Sequence, residues 1–265
     1  MKHFFILALG LVCASAALAD DDEAAHVLAT AAGIASPGAA TAAYENPAGL
    51  TYNKVARVHA NFVAETSVGY GGEILAPVDR FVVEAGLRGQ NLYKYSPGNI
   101  SLLDWGLATT LETLNVAIGI EGSKVVREVN SAIPTNGTCT SWCLDAGAIL
   151  YPSANTRFAL NAIEITDNHY YYGGGVAFNF DTDFVGAIDY FYDTTDSWSV
   201  VTPGLNFPIF GIQTSISYSA KTGGASGILR EGVSVGTAWP LGDGLLLLFY
   251  INHIAQYYAG LTIPL

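Results

Sequence analysis

Charged and titratable residues recur at even spacings in two stretches near the start of the chain: Arg57, His59 and Glu65 in one, Arg80, Glu84 and Arg88 in the other. A guanidinium fork matches a carboxylate in geometry. Arg57, Arg80 and Arg88 could therefore receive an acidic ligand, or pair with Glu65, Glu73 or Glu84. Nucleophilic hydrolysis is not supported: His59, His169 and His253 are scattered, and no serine sits in a strained-elbow context. The expectation is that the chain is not an enzyme. Cys139 and Cys143 lie in the polar run Thr138-Cys139-Thr140-Ser141-Trp142-Cys143. Two cysteines without a nearby histidine pair make a poor zinc site, whereas a loop disulfide suits an oxidising compartment. No metal and no cofactor is expected.

The elements that position these groups follow from a two-residue beat. Val58, Ala60, Phe62 and Ala64 alternate with Arg57, His59, Asn61 and Glu65, and Phe81, Val83, Ala85 and Leu87 alternate with Arg80, Glu84 and Arg88. Side chains of an extended strand point alternately to two environments, so the pattern reads as strands between oil and water. In 211–220, Ile212, Thr214, Ile216 and Tyr218 oppose Gln213, Ser215, Ser217 and Ser219, and in the last strand Tyr257, Ala259, Leu261, Ile263 and Leu265 share a face. The inward set reads as Gly, Ala and Ser with Arg57, His59, Glu73, Arg80, Glu84, Arg88, Asp104, Glu121, Arg127, Asp145 and Asp189.

Composition agrees. The chain is 51% hydrophobic and only 13% charged, with 29 glycines and 15 tyrosines, whereas soluble proteins carry about 25% charge. Beyond the N-terminal segment no run approaches the roughly 20 apolar residues of a membrane helix. The net charge of −12 excludes a nucleic-acid partner, since no basic cluster exists to meet phosphates. Met1-Lys2-His3, the apolar run Phe4 to Val12 and Ala17-Leu18-Ala19 read as a signal peptide over 1–19, with Asp20 the first mature residue.

Segment 20–53 is Ala/Gly-rich and lacks strand alternation, which suits a plug packed in a lumen. From 54 to 265 about fourteen strands are expected, with twelve as the lower count, near 55–65, 67–75, 80–90, 101–111, 115–128, 142–151, 156–166, 170–180, 184–192, 197–207, 211–220, 229–241, 245–252 and 255–264. Tight turns, among them Ala76-Pro77-Val78-Asp79 and Pro208, alternate with long connections at 91–100, 129–141 and 221–228. The fold class is all-β: a transmembrane antiparallel barrel of an outer membrane, with both chain ends on one rim.

One local motif adds to this. Gly38 to Ala43 leads into Tyr44-Glu45-Asn46-Pro47-Ala48-Gly49-Leu50, a small-residue segment ending in Asn-Pro-Ala-Gly just before the first strand. It resembles the N-terminal signature of the FadL family of outer-membrane channels for long-chain fatty acids and aromatic hydrocarbons. The resemblance implies a fourteen-strand barrel plugged by an N-terminal hatch, anchored at Asn46, Pro47, Ala48 and Gly49. Pro47 holds Asn46 extended, Gly49 permits a sharp turn, and Asn46 can bond nearby backbone.

The function expected is passive, hatch-gated uptake of a hydrophobic small molecule, a fatty acid or an aromatic hydrocarbon, through the outer membrane of a Gram-negative bacterium. Arg57, His59, Arg80, Glu84 and Arg88 are the candidate lumen groups. Partners are the hydrophobic solute and membrane lipids, and the chain is expected to act as a monomer. The alternative is a structural or general-diffusion barrel without a dedicated substrate.

Overall fold

The computed structural model describes residues 33–37, 46–64, 67–92, 98–129, 142–166, 171–180, 184–194, 197–223, 232–242, 245–251 and 257–265. Fourteen strands run in chain order: β1 Arg57–Ala64, β2 Ser67–Val78, β3 Phe81–Leu92, β4 Gly98–Leu111, β5 Val116–Val129, β6 Cys143–Ser153, β7 Thr156–Ile163, β8 Tyr171–Asn179, β9 Val185–Asp193, β10 Trp198–Ile209, β11 Ile212–Gly223, β12 Gly232–Gly242, β13 Leu245–Ile251 and β14 Tyr257–Pro264. Each pairs antiparallel with its neighbour in sequence, and β14 returns to β1 to close the barrel. Closure leaves no strand edge unpaired, the condition for a sheet to stand in lipid.

The alternation is what the wall records. On β9, Ile188 and Tyr190 are exposed while Ala187, Asp189, Phe191 and Asp193 are buried; on β11, Ile216 and Tyr218 are exposed and Ser217 and Ser219 buried. Exposed Tyr70, Ile74, Leu87, Leu160, Ile188, Val233 and Ile263 continue an apolar exterior around the cylinder. Such an exterior matches acyl chains, and the buried polar partners face inward.

β1 begins and β14 ends on one rim, here the near rim. Near-rim connections are short, down to two residues at Asp79–Arg80, 154–155 and Phe210–Gly211, whereas the far-rim connection after β5 spans 130–142. Left-handed backbone at Asp79 (φ 55°), Asn115 (φ 50°) and Phe210 (φ 51°) marks near-rim turns. With Gly211 also at φ 79°, Phe210–Gly211 has the mirror-image geometry that matches strand twist in tight hairpins.

Three expectations need correction. β2 continues through Ala76-Pro77 to Val78, and β10 through Pro208 to Ile209, so neither proline makes the turn. Both stand at strand ends, where a missing N–H costs little of the ladder. Arg80 stands exposed in the near-rim turn and not in the lumen, because left-handed Asp79 reverses the chain just before it.

Candidate functional site

The inner surface carries a second layer of chain. Pro47–Tyr52 forms a 3-10 turn against the inner face of β3 to β6. Asn46 caps it in extended backbone (φ −161°, ψ 109°), as a residue before proline must be. Its Oδ1 accepts from the Ala48 N–H at 3.1 Å, and the Gly49 N–H donates to the Asn46 carbonyl at 2.8 Å. The other half of the carboxamide reaches outward: Asn46 Nδ2 donates to the Ile34 carbonyl at 2.9 Å and to the Leu160 carbonyl of β7 at 3.4 Å. One side chain thus ties the 3-10 turn, the upstream segment and the wall. Gly49 keeps an ordinary φ, so its place is as a small buried residue within the turn and not as a left-handed corner.

The wall makes room for this layer at two glycines. A β-carbon on Gly119 of β5 would collide with the Pro47 carbonyl, and one on Gly147 of β6 with Asn46 Oδ1. Gly119 and Gly147 are register partners, so the pair forms one bay shaped for the Asn46–Pro47 peptide. Ala48 joins the buried apolar cluster of Ala117, Ile149 and Ala159. Leu50 packs separately with Leu75, Val82 and Ala108.

Two further contacts fasten the layer. The Ile34 N–H donates to Asp189 Oδ2 of β9 at 2.8 Å. Tyr52 meets the wall at the near rim, where its hydroxyl accepts from the Tyr151 hydroxyl at 3.2 Å and from Arg157 Nη1 at 3.3 Å, while Arg157 Nη2 donates to Asn179 Oδ1.

Around the bore the inner face divides into three sectors. β2 to β6 present the carboxylates Glu73, Glu84, Asp104, Glu121 and Asp145 among small residues. β11 to β1 present hydroxyls and an imidazole: Ser217, Ser219, Ser234 and Thr262 are buried with His59. His59 Nδ1 bonds Thr262 Oγ1 at 2.8 Å, Nε2 bonds the Tyr258 hydroxyl, and the His59 and Tyr258 rings stack at 6.3 Å, across the β1–β14 seam. β7 to β10 present the apolar residues Ile163, Tyr171, Phe191, Trp198 and Val200, interspersed with buried Asn161, Asp189 and Asp193.

Of the candidate lumen residues, Glu84 and His59 are buried on the inner face, and Arg57 shares the His59 face of β1 nearer the rim. Arg88 occupies an inward register position on β3, paired with Gly71. Arg80 does not join them. Cys143 opens β6 and is buried; Cys139 lies outside the described residues, as do Glu65, His169 and His253. Arg157, Tyr52 and the inner aromatics carry contacts that polarity alone did not single out, whereas Asp189 faces inward as the alternation predicts. The inward set is accordingly not only small and charged, and the apolar residues of β7 to β10 correct that expectation.

The closed barrel has solved counterparts. The TodX deltaS2S3 mutant, a monoaromatic hydrocarbon channel, matches with a TM-score of 0.60 over 88% of this chain and 97% of that one, at 10% identity. The fold is that of the hydrocarbon-channel barrels. The toluene transporter TbuX of Ralstonia pickettii matches with a TM-score of 0.58 at 10% identity, over 88% of this chain and 95% of TbuX. The toluene transporter TodX of Pseudomonas putida gives 0.57 at 10% identity, over 90% and 95%. No protein-family model matches the sequence, and no curated protein does. At such identities the likeness is one of architecture.

Proposed function

We propose that this chain is an outer-membrane channel of the FadL type, through which a hydrophobic small molecule passes without an energy source. Segment 20–53 is its hatch, Asn46 to Gly49 the hatch anchor, and 54–265 the barrel, which works as a monomer. The observation that carries the reading is the bay at Gly119 and Gly147, into which the Asn46–Pro47 peptide fits. A structural barrel has no use for an inner wall shaped around its own N-terminal layer, whereas a gated channel does. The apolar exterior supports the membrane placement. The channel fold it shares with TbuX and TodX supports a solute of the same broad class. A bridge between Cys139 and Cys143 fits the start of β6, where Cys143 is buried.

The test is uptake of radiolabelled toluene and oleate by a Gram-negative host lacking its own channels, with and without the chain, and with residues 24–45 deleted. Uptake above the empty host that changes on the deletion is expected. Uptake equal to the empty host, together with a steady ion current in planar bilayers that ignores lipophilic solutes, would instead establish a general-diffusion pore.

A further inference from the structure

One cation stands on the oil-facing wall. The outer face of β5 carries Ile118, Ile120, Gly122 and Lys124; Ile118 and Ile120 are exposed, and Lys124 pairs in register with exposed Leu103 of β4. Among the described side chains, Lys124 is the one charged group on the outer face of the fourteen strands. Two tryptophans sit beside it. Trp105 of β4 is the register partner of Gly122, where a β-carbon would collide with the indole, so the ring packs over bare backbone there. Trp142, 38% exposed at the mouth of β6, meets the Trp105 ring edge-on at 6.2 Å and 70°, and Lys124 Nζ lies 5.9 Å from the Trp142 ring centroid. A lysine in hydrocarbon is costly and becomes tolerable only toward the headgroups, and tryptophan prefers that same level.

We propose that this patch toward the far rim, built from Lys124, Trp105 and Trp142, binds the phosphate of an anionic lipid headgroup. Charge complementarity selects the occupant. The ammonium is a compact cation suited to a phosphate, and the two rings set it at headgroup depth. Its four-carbon stem suits the apolar wall below. Neighbouring carboxylates do not compete: Asp104 and Glu121 are buried on the inner face, and β4, β5 and β6 present no carboxylate outward among the described residues. Glu164 lies past the end of β7, two strands from Lys124. The whole chain carries a net charge of −12, so a preference for anions belongs to the patch and not to the bulk surface. The near rim offers a contrast. There Trp239 and Phe249 pair edge-on at 6.4 Å on the outer face, with no cation beside them on that face among the described residues. The proposal rests on the membrane placement of the wall and not on passage of a solute.

Quenching of tryptophan fluorescence by brominated phospholipids, with the full chain in vesicles, tests this. With Trp198→Phe and Trp239→Phe, emission comes from Trp105 and Trp142 alone. Brominated phosphatidylglycerol should reach them with about fivefold higher relative affinity than brominated phosphatidylcholine, the effect of one lysine at a charged headgroup. Lys124→Met should bring that ratio to about one, and Lys124→Arg should keep it, since the charge is what the phosphate reads. With Trp105→Phe, Trp142→Phe and Trp198→Phe, only near-rim Trp239 reports, and there the ratio should be about one. Inorganic phosphate at fixed ionic strength should leave the far-rim ratio unchanged. The unaltered chain gives a second reading: native mass spectrometry should find phosphatidylglycerol retained over phosphatidylcholine. Equal retention of the two, a far-rim ratio of about one with Lys124 present, the same preference at Trp239, or displacement by inorganic phosphate would each overturn the proposal. Membrane placement is read separately. If neither lipid quenches either reporter, the wall is not in a bilayer, whereas equal quenching by both leaves the placement and removes the site.

Discussion

Asn46 and Gly147 share one space: the carboxamide oxygen of the first lies where the β-carbon of any other residue at the second would stand. The same carboxamide caps the 3-10 turn and reaches the Ile34 and Leu160 carbonyls. A side chain at 147 therefore cannot be accommodated by a rotamer change of Asn46 without breaking those bonds.

Gly147→Val should expel the inner layer from its bay while leaving the strand ladder intact. The expected result is a higher single-channel conductance in planar bilayers than the wild-type chain shows. Overpacking of this kind costs about 1–3 kcal/mol, visible as a lower urea midpoint. Conductance unchanged from wild type would mean that the Asn46–Pro47 peptide does not control the bore.

The seam between first and last strands is pinned by His59, Thr262 and Tyr258. His59→Leu removes both side-chain bonds and leaves two hydroxyls, one of them fully buried, without the imidazole. A loss of roughly 1–3 kcal/mol is expected from the unmet groups. The readout is the temperature at which the folded band on a non-boiled gel shifts to the unfolded mobility. A shift temperature equal to wild type would show that the pair bonds alone hold the seam.

Ile188 stands midway along β9 on the exposed face. If that face meets lipid, Ile188→Arg should destabilise the protein by about 2–4 kcal/mol in phospholipid bilayers, measured by reversible unfolding in vesicles. No loss on this substitution would argue that the band at Ile188 is not in the hydrocarbon.

A Cys139–Cys143 bridge would close a very short loop ahead of β6. Mass spectrometry after alkylation should find neither thiol modified until a reductant is added. Modification of both thiols in the untreated, denatured chain would show that no bridge forms.

The barrel was largely legible because its strands separate lipid from a polar bore, and the two solvents sort residues at a period of two. β1 and β11 show this plainly. Legibility failed where the two faces resemble each other. β10 buries Trp198 and Val200 inward, so its apolar positions do not reveal which side they face. Arg80 kept the parity of β3 in sequence while Asp79, at φ 55°, turned the chain before it. The motif Asn46 to Gly49 was visible as letters, but its seat was not, because Gly119 and Gly147 act by lacking a side chain. Arg157 and Tyr52 meet across 105 positions of sequence, a contact that no local pattern encodes.

Every strand but one pair finds its partner next door in the chain, whereas His59 and Thr262 come together across 203 positions. Loop-closure entropy therefore weighs most heavily on that single junction, which marks it as the slowest pairing to form. Residues 46–53 precede the first strand and finish inside the ring, so the strand that closes the wall is also the one tethered to its lining. Closing the circumference and delivering the interior thus fall to the same strand, β1.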